Sequence, residues 1–200
     1  MHYRRLGRSG LKVSEISLGA WVTFGNQVDE RMASDLLHAA YEQGIHYFDN
    51  ADMYAAGLAE TMMGKAIQDL PREALVISSK VFWPTMPGPN GRGLSRKHIT
   101  ESVHASLRRL QTDYLDLYFC HRYDPDTPIE EVVRIMNDLI SQGKILYWGT
   151  SEWEAAQVTQ AVGIARQFGL VPPSMEQPQY NLFHCQRVEM ELAPICKEFG

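Results

Sequence analysis

Four side chains that can hold or move a proton come at the ends of apolar runs or just after them. Asp49 and Tyr54 lie in the stretch HYFDNADMY, where a short apolar run gives way to acid. Lys80 ends the run LVISSK, and His121 ends the run LDLYFCH. A lysine set among apolar residues needs a charged partner, because an unpaired buried charge costs several kcal/mol. Asp49, on the neighbouring predicted strand, is the nearest candidate.

A tyrosine beside a lysine and an aspartate is a candidate proton donor. A free phenol has a pKa of about 10, and a nearby ammonium favours the phenolate, so we expect Lys80 to lower the pKa of Tyr54. His121 adds a group that can hold a carbonyl oxygen. Taken singly, the residues have other interpretations: a structural Asp49–Lys80 ion pair, an aromatic residue at the rim, and a hydrogen-bonded core histidine.

This set can protonate an oxygen but contains no reductant. The seven histidines are dispersed and none has the HxxxH or HExxH spacing of a metal site. No Gly-x-Ser-x-Gly motif is present, and only Asp49 with Glu176 could be argued as a glycosidase carboxylate pair. A hydride from a nicotinamide cofactor fits the set best, with the protein placing the cofactor.

The strands that must position these residues recur at the length of one βα unit. The starts of the six runs lie 31, 28, 40, 31 and 29 residues apart. The runs that we predict as strands cover 15–21, 46–51, 74–83, 114–121, 145–151 and 174–180.

Helices are predicted between the runs from apolar residues at helical spacing and from capping residues. Ser95 is the expected N-cap of one helix. In the stretch TPIEEVVRIMNDLISQG, Thr127 and Glu130 are expected to form a capping box, with Pro128 at the first helical position. The predicted helices cover 31–43, 96–110, 127–143 with its caps, 154–168 and 187–199.

Alternating strands and helices indicate a parallel sheet covered by helices, either doubly wound or a (β/α)8 TIM barrel. The first run continues into LGAWVTFGNQ without a GxGxxG motif, which favours the barrel. A barrel needs eight units and about 250 residues, so we expect residues 1–200 to be one α/β barrel domain, truncated after about six units. A predicted hairpin with its turn at 7–10 could close the barrel bottom.

Composition excludes several classes of protein. The net charge of −5 offers no basic face for nucleic acid. No apolar run approaches the roughly 18 residues of a membrane-spanning helix, and the N-terminus lacks a signal peptide. Cys120, Cys185 and Cys196 are too scattered for a disulfide framework and are expected to be reduced. We therefore expect a cytoplasmic protein that neither binds nucleic acid nor inserts into a membrane.

At these residues the sequence resembles the aldo-keto reductase family, and within it the branch of the potassium channel beta subunits and their bacterial and plant relatives. The resemblance covers essentially the whole length. It rests on long, ordered stretches, namely RRLGRSGLKVSEISLGAWVTFG, FDNADMYAAGLAE, KVFW, GLSRKHI, SLRRLQTDYLDLYFCHRYDPDTPIEE, YWGTSEW and EQPQYN.

The resemblance implies an NADP(H)-dependent reductase of aldehydes or ketones. The catalytic tetrad of the family falls on Asp49, Tyr54, Lys80 and His121, with Tyr54 as the proton donor. Small carbonyl compounds are the implied substrates. The substrate pocket is expected to be lined by Trp21, Trp83, His121 and Arg122. The implied cofactor contacts are Ala20, Trp21, Gln27, Asp49, Ser151, Glu152 and Gln177.

Some positions depart from the family pattern or leave alternatives open. Glu152 stands where the family often has Asn or Arg, and an ionised acid cannot donate a hydrogen bond to the cofactor as those residues do. His121 stands where the channel subunits carry Asn, which favours catalysis. Arg122 attracts an anionic substrate or is a solvated arginine at the rim, and Asp52 is expected in a turn or at a helix cap. The family residues for the adenosine 2′-phosphate would lie after residue 200.

The same resemblance leaves a second function open. The chain could be a redox-sensing binding module, similar to a channel beta subunit, with little turnover. That branch also implies a possible homo-oligomer, a tetramer or an octamer.

Overall fold

The computed structural model describes residues 1–200 and begins with an antiparallel hairpin. β1 (Tyr3–Arg5) pairs with β2 (Lys12–Ser14), as the sequence predicts. Val76 and Lys80 belong to one strand of the main sheet and lie four residues apart, so their side chains lie on the same face of that strand. The hairpin packs on this face, through contacts of Leu6, Leu11 and Val13 with Val76, Leu117 and Phe119.

Five parallel strands form the main sheet in the order of the sequence. A doubly wound sheet reverses its order at a switch point, and no reversal occurs here, so the topology is that of a barrel wall. The strands are β3 (Leu18–Gly19), β4 (Tyr47–Asp49), β5 (Val76–Val81), β6 (Leu115–Cys120) and β7 (Ile145–Thr150).

The prediction of a sixth strand over 174–180 is wrong in its extent. This segment makes one bridge to the sheet, Thr150 with Glu176. Its backbone still lies along β7, since the Gln177 N–H donates to the Thr150 carbonyl at 2.8 Å. Pro173 and Pro178 flank the bridge and have no N–H to donate, which prevents a longer ladder.

Six α-helices accompany the strands, and a π-helical turn (Val188–Leu192) precedes the last one. The predicted helices differ from the observed ones by at most two residues at each end, apart from this last segment. One helix was not predicted, because its buried residues lie on several sides and form no stripe. The helices are α1 (Glu30–Glu42), α2 (Leu58–Ala66, the one not predicted), α3 (Arg96–Leu110), α4 (Ile129–Ser141), α5 (Ala155–Gln167) and α6 (Ala193–Phe199).

The predicted helix caps are partly confirmed. The Ser95 side chain caps α3 by accepting from the His98 N–H at 3.2 Å. The capping box at α4 is wrong, because Pro128 is the N-cap and makes no side-chain bond. The Thr127 hydroxyl instead donates to the Asp124 carboxylate at 2.8 Å, a charged and therefore stronger acceptor.

Helices α2 and α3 approach each other closely. A Cβ atom added at Gly64 would lie 2.3 Å from the backbone oxygen of Arg109, so only glycine permits this distance. The approach brings Glu60 of α2 beside Arg109 of α3. None of the helices combines the length and the apolar character needed to span a membrane.

Candidate active site

Lys80 is enclosed by three oxygen atoms at the carboxyl ends of β4 and β5. Its ammonium nitrogen lies 2.5 Å from the Asp49 carboxylate, 2.8 Å from the Asn50 carbonyl and 3.4 Å from the Tyr54 hydroxyl. Only 1% of the lysine side chain is exposed. An ammonium has three protons to donate, so these oxygens satisfy a buried cation that would otherwise be costly.

Tyr54 is held at the strand ends by an unusual turn. The next three residues all have positive φ angles, at +48° for Ala55, +54° for Ala56 and +89° for Gly57. A non-glycine residue in this region costs about 1–2 kcal/mol. The turn lets the chain leave β4, place Tyr54 beside Lys80 and enter α2 within a few residues. Backbone strain of this kind is found at functional sites.

The pKa of Tyr54 differs in direction from the expectation. Burial raises this pKa above its usual range, and the neighbouring Lys80 ammonium lowers it again only in part. Lys80 lowers the pKa of Tyr54 as expected, but burial has the larger effect, so the net shift is upward. The phenol keeps its proton at neutral pH, as a proton donor must.

His121 is neutral and has no hydrogen-bond partner in the protein. Burial, followed by the positive charges of Lys80 and Arg122, lowers the pKa of His121 to about 3. Its buried Nδ1 atom finds no partner. The ring stands edge-on to Tyr54, with centroids 5.9 Å apart. A neutral imidazole beside the phenol is thus free to bond a ligand oxygen.

The side-chain amide of Gln177, in the segment after β7, also reaches Asp49. The Gln177 amide nitrogen donates to the Asp49 carboxylate at 3.4 Å, and the Ser78 hydroxyl donates to that oxygen at 2.6 Å. The Ser151 hydroxyl donates to the Gln177 backbone oxygen at 2.9 Å. Carboxylate, amide and hydroxyl match the donors and the acceptor of a nicotinamide carboxamide, so these residues fit that end of the cofactor.

Two aromatic side chains flank the opening. The Trp83 ring stands edge-on to His121, with centroids 6.4 Å apart, and Trp21 is 66% exposed. Ala20 is fully buried, and its N–H donates to the Asp49 backbone oxygen at 2.9 Å. Gln27 is exposed in the loop after β3, and its side chain makes no hydrogen bond.

The family is decided by a match to its model. The model described as the Aldo/keto reductase family matches residues 15–200. The chain belongs to the aldo/keto reductase family.

Two plant relatives align with the whole of this chain. A protein of Arabidopsis thaliana named a probable voltage-gated potassium channel subunit beta is 53% identical over 202 residues. A protein of Oryza sativa subsp. japonica with the same name is 52% identical over 202 residues. Each alignment covers 100% of this chain and 61% of the relative. The chain therefore spans about three fifths of the length of the curated relatives it matches.

A solved aldo-keto reductase has the same fold. The crystal structure of a thermostable aldo-keto reductase in complex with the inhibitor epalrestat aligns with a TM-score of 0.87 at 32% identity. The alignment covers 100% of this chain and 70% of that one. The prediction of a TIM-barrel α/β fold is confirmed, with five strands and the 174–177 segment forming part of the barrel wall.

Glu152 of this aldo/keto reductase is bound to its own neighbours. The residue has φ +59°, and its carboxylate accepts from the Gln179 N–H and from the Arg187 guanidinium, the latter at 2.9 Å. Both oxygens are thus occupied away from Asp49 and Gln177. The Glu152 side chain is therefore not positioned to contact a cofactor in this structure.

Arg122 is held at the rim by the loop that carries it. Its guanidinium donates to the His121 carbonyl and lies 5.8 Å from the centre of the Trp83 ring. Both contacts leave other N–H groups free. Attraction of an anionic substrate therefore stays a prediction.

One buried carboxylate behind the site, Glu60, was not found from the sequence. Glu60 is fully buried and accepts from the Ser79 hydroxyl at 2.5 Å and from the Arg109 guanidinium at 2.6 Å. Ser79 precedes Lys80 and points to the opposite face of β5. No pattern in the sequence marks Glu60, since α2 itself was not predicted.

Asp52 lies in a turn, as expected, but caps no helix. It is 2% exposed, and its carboxylate accepts from the Ser102 hydroxyl. Burial raises its pKa to about 7, and the nearby Glu60 charge acts in the same direction. Asp52 lies two residues before Tyr54, and its N–H donates to the Lys80 carbonyl at 3.2 Å. Its carboxyl group does not contact the Lys80 ammonium.

Proposed function

We propose that this aldo/keto reductase reduces aldehydes or ketones to alcohols with NADP(H), with Tyr54 as the proton donor. One observation carries the proposal: the Tyr54 hydroxyl lies 3.4 Å from a buried Lys80 ammonium that is also bound to Asp49 at 2.5 Å. A protonated phenol beside a fixed positive charge is suited to giving a proton to an oxygen.

The residues divide the work of proton transfer. Tyr54 is protonated before the reaction, because burial raises its pKa. As the proton leaves, the Lys80 ammonium stabilises the phenolate that forms. Asp49 holds Lys80 in position and balances its charge. Both proton release and proton uptake depend on the pKa of Tyr54, since the phenol must give its proton to the substrate and then regain one from water.

His121 orients the carbonyl group. A neutral imidazole donates one N–H, and the lowered pKa keeps His121 in that form at neutral pH. A donated hydrogen bond to the carbonyl oxygen polarises the bond and places the oxygen beside Tyr54. The aromatic rings of Trp83 and Trp21 complete the opening through which a small carbonyl substrate enters.

NADP(H), when bound, would supply the hydride for the carbonyl carbon. Gln177, Ser151 and Asp49 are proposed to hold its carboxamide, and Ala20, Trp21 and Gln27 to line its nicotinamide end. The choice of NADP(H) over NAD(H) comes from the family resemblance. The low cysteine content fits a reducing, cytoplasmic compartment.

Replacement of the phenol tests the mechanism. In the full-length protein we expect Tyr54→Phe to abolish carbonyl reduction and to leave NADPH affinity, measured by quenching of protein fluorescence, within about threefold. A Tyr54→Phe variant that keeps most of its kcat would contradict the assignment of the proton donor.

A second candidate function is a redox-sensing binding module similar to a potassium channel beta subunit. The names of the two plant relatives favour it. NADPH oxidation measured against a panel of aldehydes separates the candidates, since slow turnover on every aldehyde with tight cofactor retention favours the module. A tetramer or octamer is proposed by the same likeness, and light scattering on the purified protein measures it.

A further inference from the structure

A buried carboxylate outside the proposed tetrad joins two loops at the mouth of the site. Asp124 lies in the loop between β6 and α4 and is 8% exposed. One oxygen accepts from the Leu94 N–H at 2.7 Å and from the Thr127 hydroxyl at 2.8 Å. The other accepts from the Asp126 N–H at 3.1 Å. Since Leu94 belongs to the loop between β5 and α3, the carboxylate connects neighbouring loops.

The β5–α3 loop is closed at its base, next to Asp124. The Gly93 N–H donates to the Phe82 carbonyl at 2.7 Å, so residues 83–92 leave and return at one point, as in an Ω-loop. A Cβ atom added at Gly93, which has φ +88°, would lie 2.6 Å from an Asp124 carboxylate oxygen. Glycine at this position is what allows the carboxylate to reach the loop base.

Trp83, the first residue of the 83–92 loop, faces the proposed active site. Its ring stands against His121 and under the guanidinium of Arg122. His121, Arg122 and Asp124 all belong to the β6–α4 loop. The two loops therefore meet twice, once at Trp83 and once through Asp124 and Leu94. Residues 84–90, between these points, are all exposed.

We propose that Asp124 is a positioning residue that closes the base of the 83–92 loop and thereby fixes Trp83 relative to His121. The hydrogen bonds of residues 84–90 stay within the loop, from the Thr85 N–H to the Gly91 carbonyl and from the Gly91 N–H to the Gly88 carbonyl, each at 3.1 Å. The position of the loop on the protein therefore depends on its base. Trp83 forms part of the substrate opening, so Asp124 acts on substrate selection and not on proton transfer. This last step rests on the proposed function.

Trypsin tests the loop base without any assay of activity. Arg92 is the only basic residue between Trp83 and Ser95, and the bond after it adjoins the Gly93–Phe82 hydrogen bond. In the full-length protein, under conditions where circular dichroism shows native structure, we expect Asp124→Ala to accelerate cleavage after Arg92 at least about tenfold, through local opening. Mass spectrometry identifies the fragment that begins at Gly93.

Thr127→Val is the matched control. It removes the hydroxyl that shares the same carboxylate oxygen but leaves the bond to Leu94, so cleavage is expected to change by less than about twofold. If Asp124→Ala does not fold, Gly93→Ala breaks the same contact from the loop side and is expected to accelerate the cleavage as well.

Kinetics test the effect on substrate selection. We expect Asp124→Ala to raise KM for a bulky aromatic aldehyde about fivefold or more while kcat stays within about threefold, since the interaction lost is one of substrate binding. KM for a small aliphatic aldehyde is expected to change less. A purely structural role for Asp124 would not separate the two aldehydes.

The outcomes have distinct meanings. Unchanged cleavage in both Asp124→Ala and Gly93→Ala, or equal acceleration in Thr127→Val, overturns the proposal whatever the activity of the protein. Faster cleavage with the same KM for every aldehyde overturns the role in selection. Faster cleavage in a protein that reduces no aldehyde supports the loop inference and contradicts the proposed function.

Discussion

Ser79 and Lys80 are successive residues of β5 that bind carboxylates on opposite faces of the sheet. The Lys80 ammonium contacts Asp49 at 2.5 Å on one face, and the Ser79 hydroxyl donates to Glu60 at 2.5 Å on the other. The strand that carries the proposed catalytic lysine is therefore fixed from both sides. Loss of Asp49 would leave the buried Lys80 ammonium without a counter-charge, and loss of Glu60 would leave the buried Ser79 hydroxyl without its acceptor.

Glu60→Ala is expected to lower the free energy of unfolding by about 3 kcal/mol, because it leaves the partly buried Arg109 guanidinium without its partner. Urea unfolding followed by circular dichroism measures the change. Glu130→Ala removes a carboxylate from the exposed pair with Arg134 and is expected to cost about 0.5 kcal/mol or less. Equal losses in the two variants would contradict the structural role given to Glu60.

Lys80→Met is expected to reduce kcat in the full-length protein by about 10²–10³-fold, because the phenolate of Tyr54 loses its stabilising charge. Steady-state oxidation of NADPH with an aldehyde measures it. Lys97→Met removes an exposed lysine from α3 and serves as the control. Retention of more than about a tenth of kcat in Lys80→Met would show that the ammonium is not needed in the transition state.

Asp52 is expected to make stability depend on pH. Its pKa is raised to about 7 in the folded protein, against about 3.9 for a free aspartate. Below about pH 4 both states are protonated and the stabilisation is fully present. As the pH rises to 7 the unfolded state releases its proton first, so the stabilisation is lost.

Asp52→Asn keeps the acceptor for Ser102 and cannot ionise. We expect it to be more stable than the unmodified protein at pH 8 by at least about 1 kcal/mol and to match it more closely at pH 4.5. Urea unfolding at both pH values measures the difference, and comparing the two proteins removes the contribution of Glu176, whose pKa burial also raises to about 7. Parallel pH curves for the two proteins would contradict the shift at Asp52.

Ala55→Gly is expected to stabilise the protein by about 0.5–1 kcal/mol, because glycine adopts the positive φ of this turn without a Cβ penalty. Thermal unfolding measures it. The same substitution at Ala39, on the exposed side of α1, is expected to destabilise by about 1 kcal/mol. A loss of stability at both positions would argue against strain in the turn.

The strands and the residues at their ends follow from the sequence because their signal is local. Apolar runs one βα unit apart, with a polar residue at or near the end of the second, third and fourth runs, were enough to bring Asp49, Lys80 and His121 together. Ser78 was within reach of the same reasoning, since it lies two residues before Lys80 and so faces the same way. The α/β class needed only this periodicity, and the absence of a glycine-rich loop favoured the barrel over a doubly wound sheet.

The features that could not be predicted from the sequence depend on burial and on tertiary contacts. Helix α2 lies in the core on several sides, and its buried Glu60 breaks the apolar pattern that marks a helix. The pKa of Tyr54 depends on how much burial opposes Lys80, which spacing does not reveal. Thr127 bonds Asp124 in preference to capping α4 because of the loop that surrounds it.

The N-terminal hairpin has a consequence for how the chain folds as it is synthesised. Leu6 and Val13 pack on Leu117 and Phe119, more than 100 residues later in the sequence. At about 5–20 residues per second, the ribosome needs roughly 5–20 s to make that stretch. The hairpin is made before β6, so it can reach its packed position only after β6 has joined the sheet.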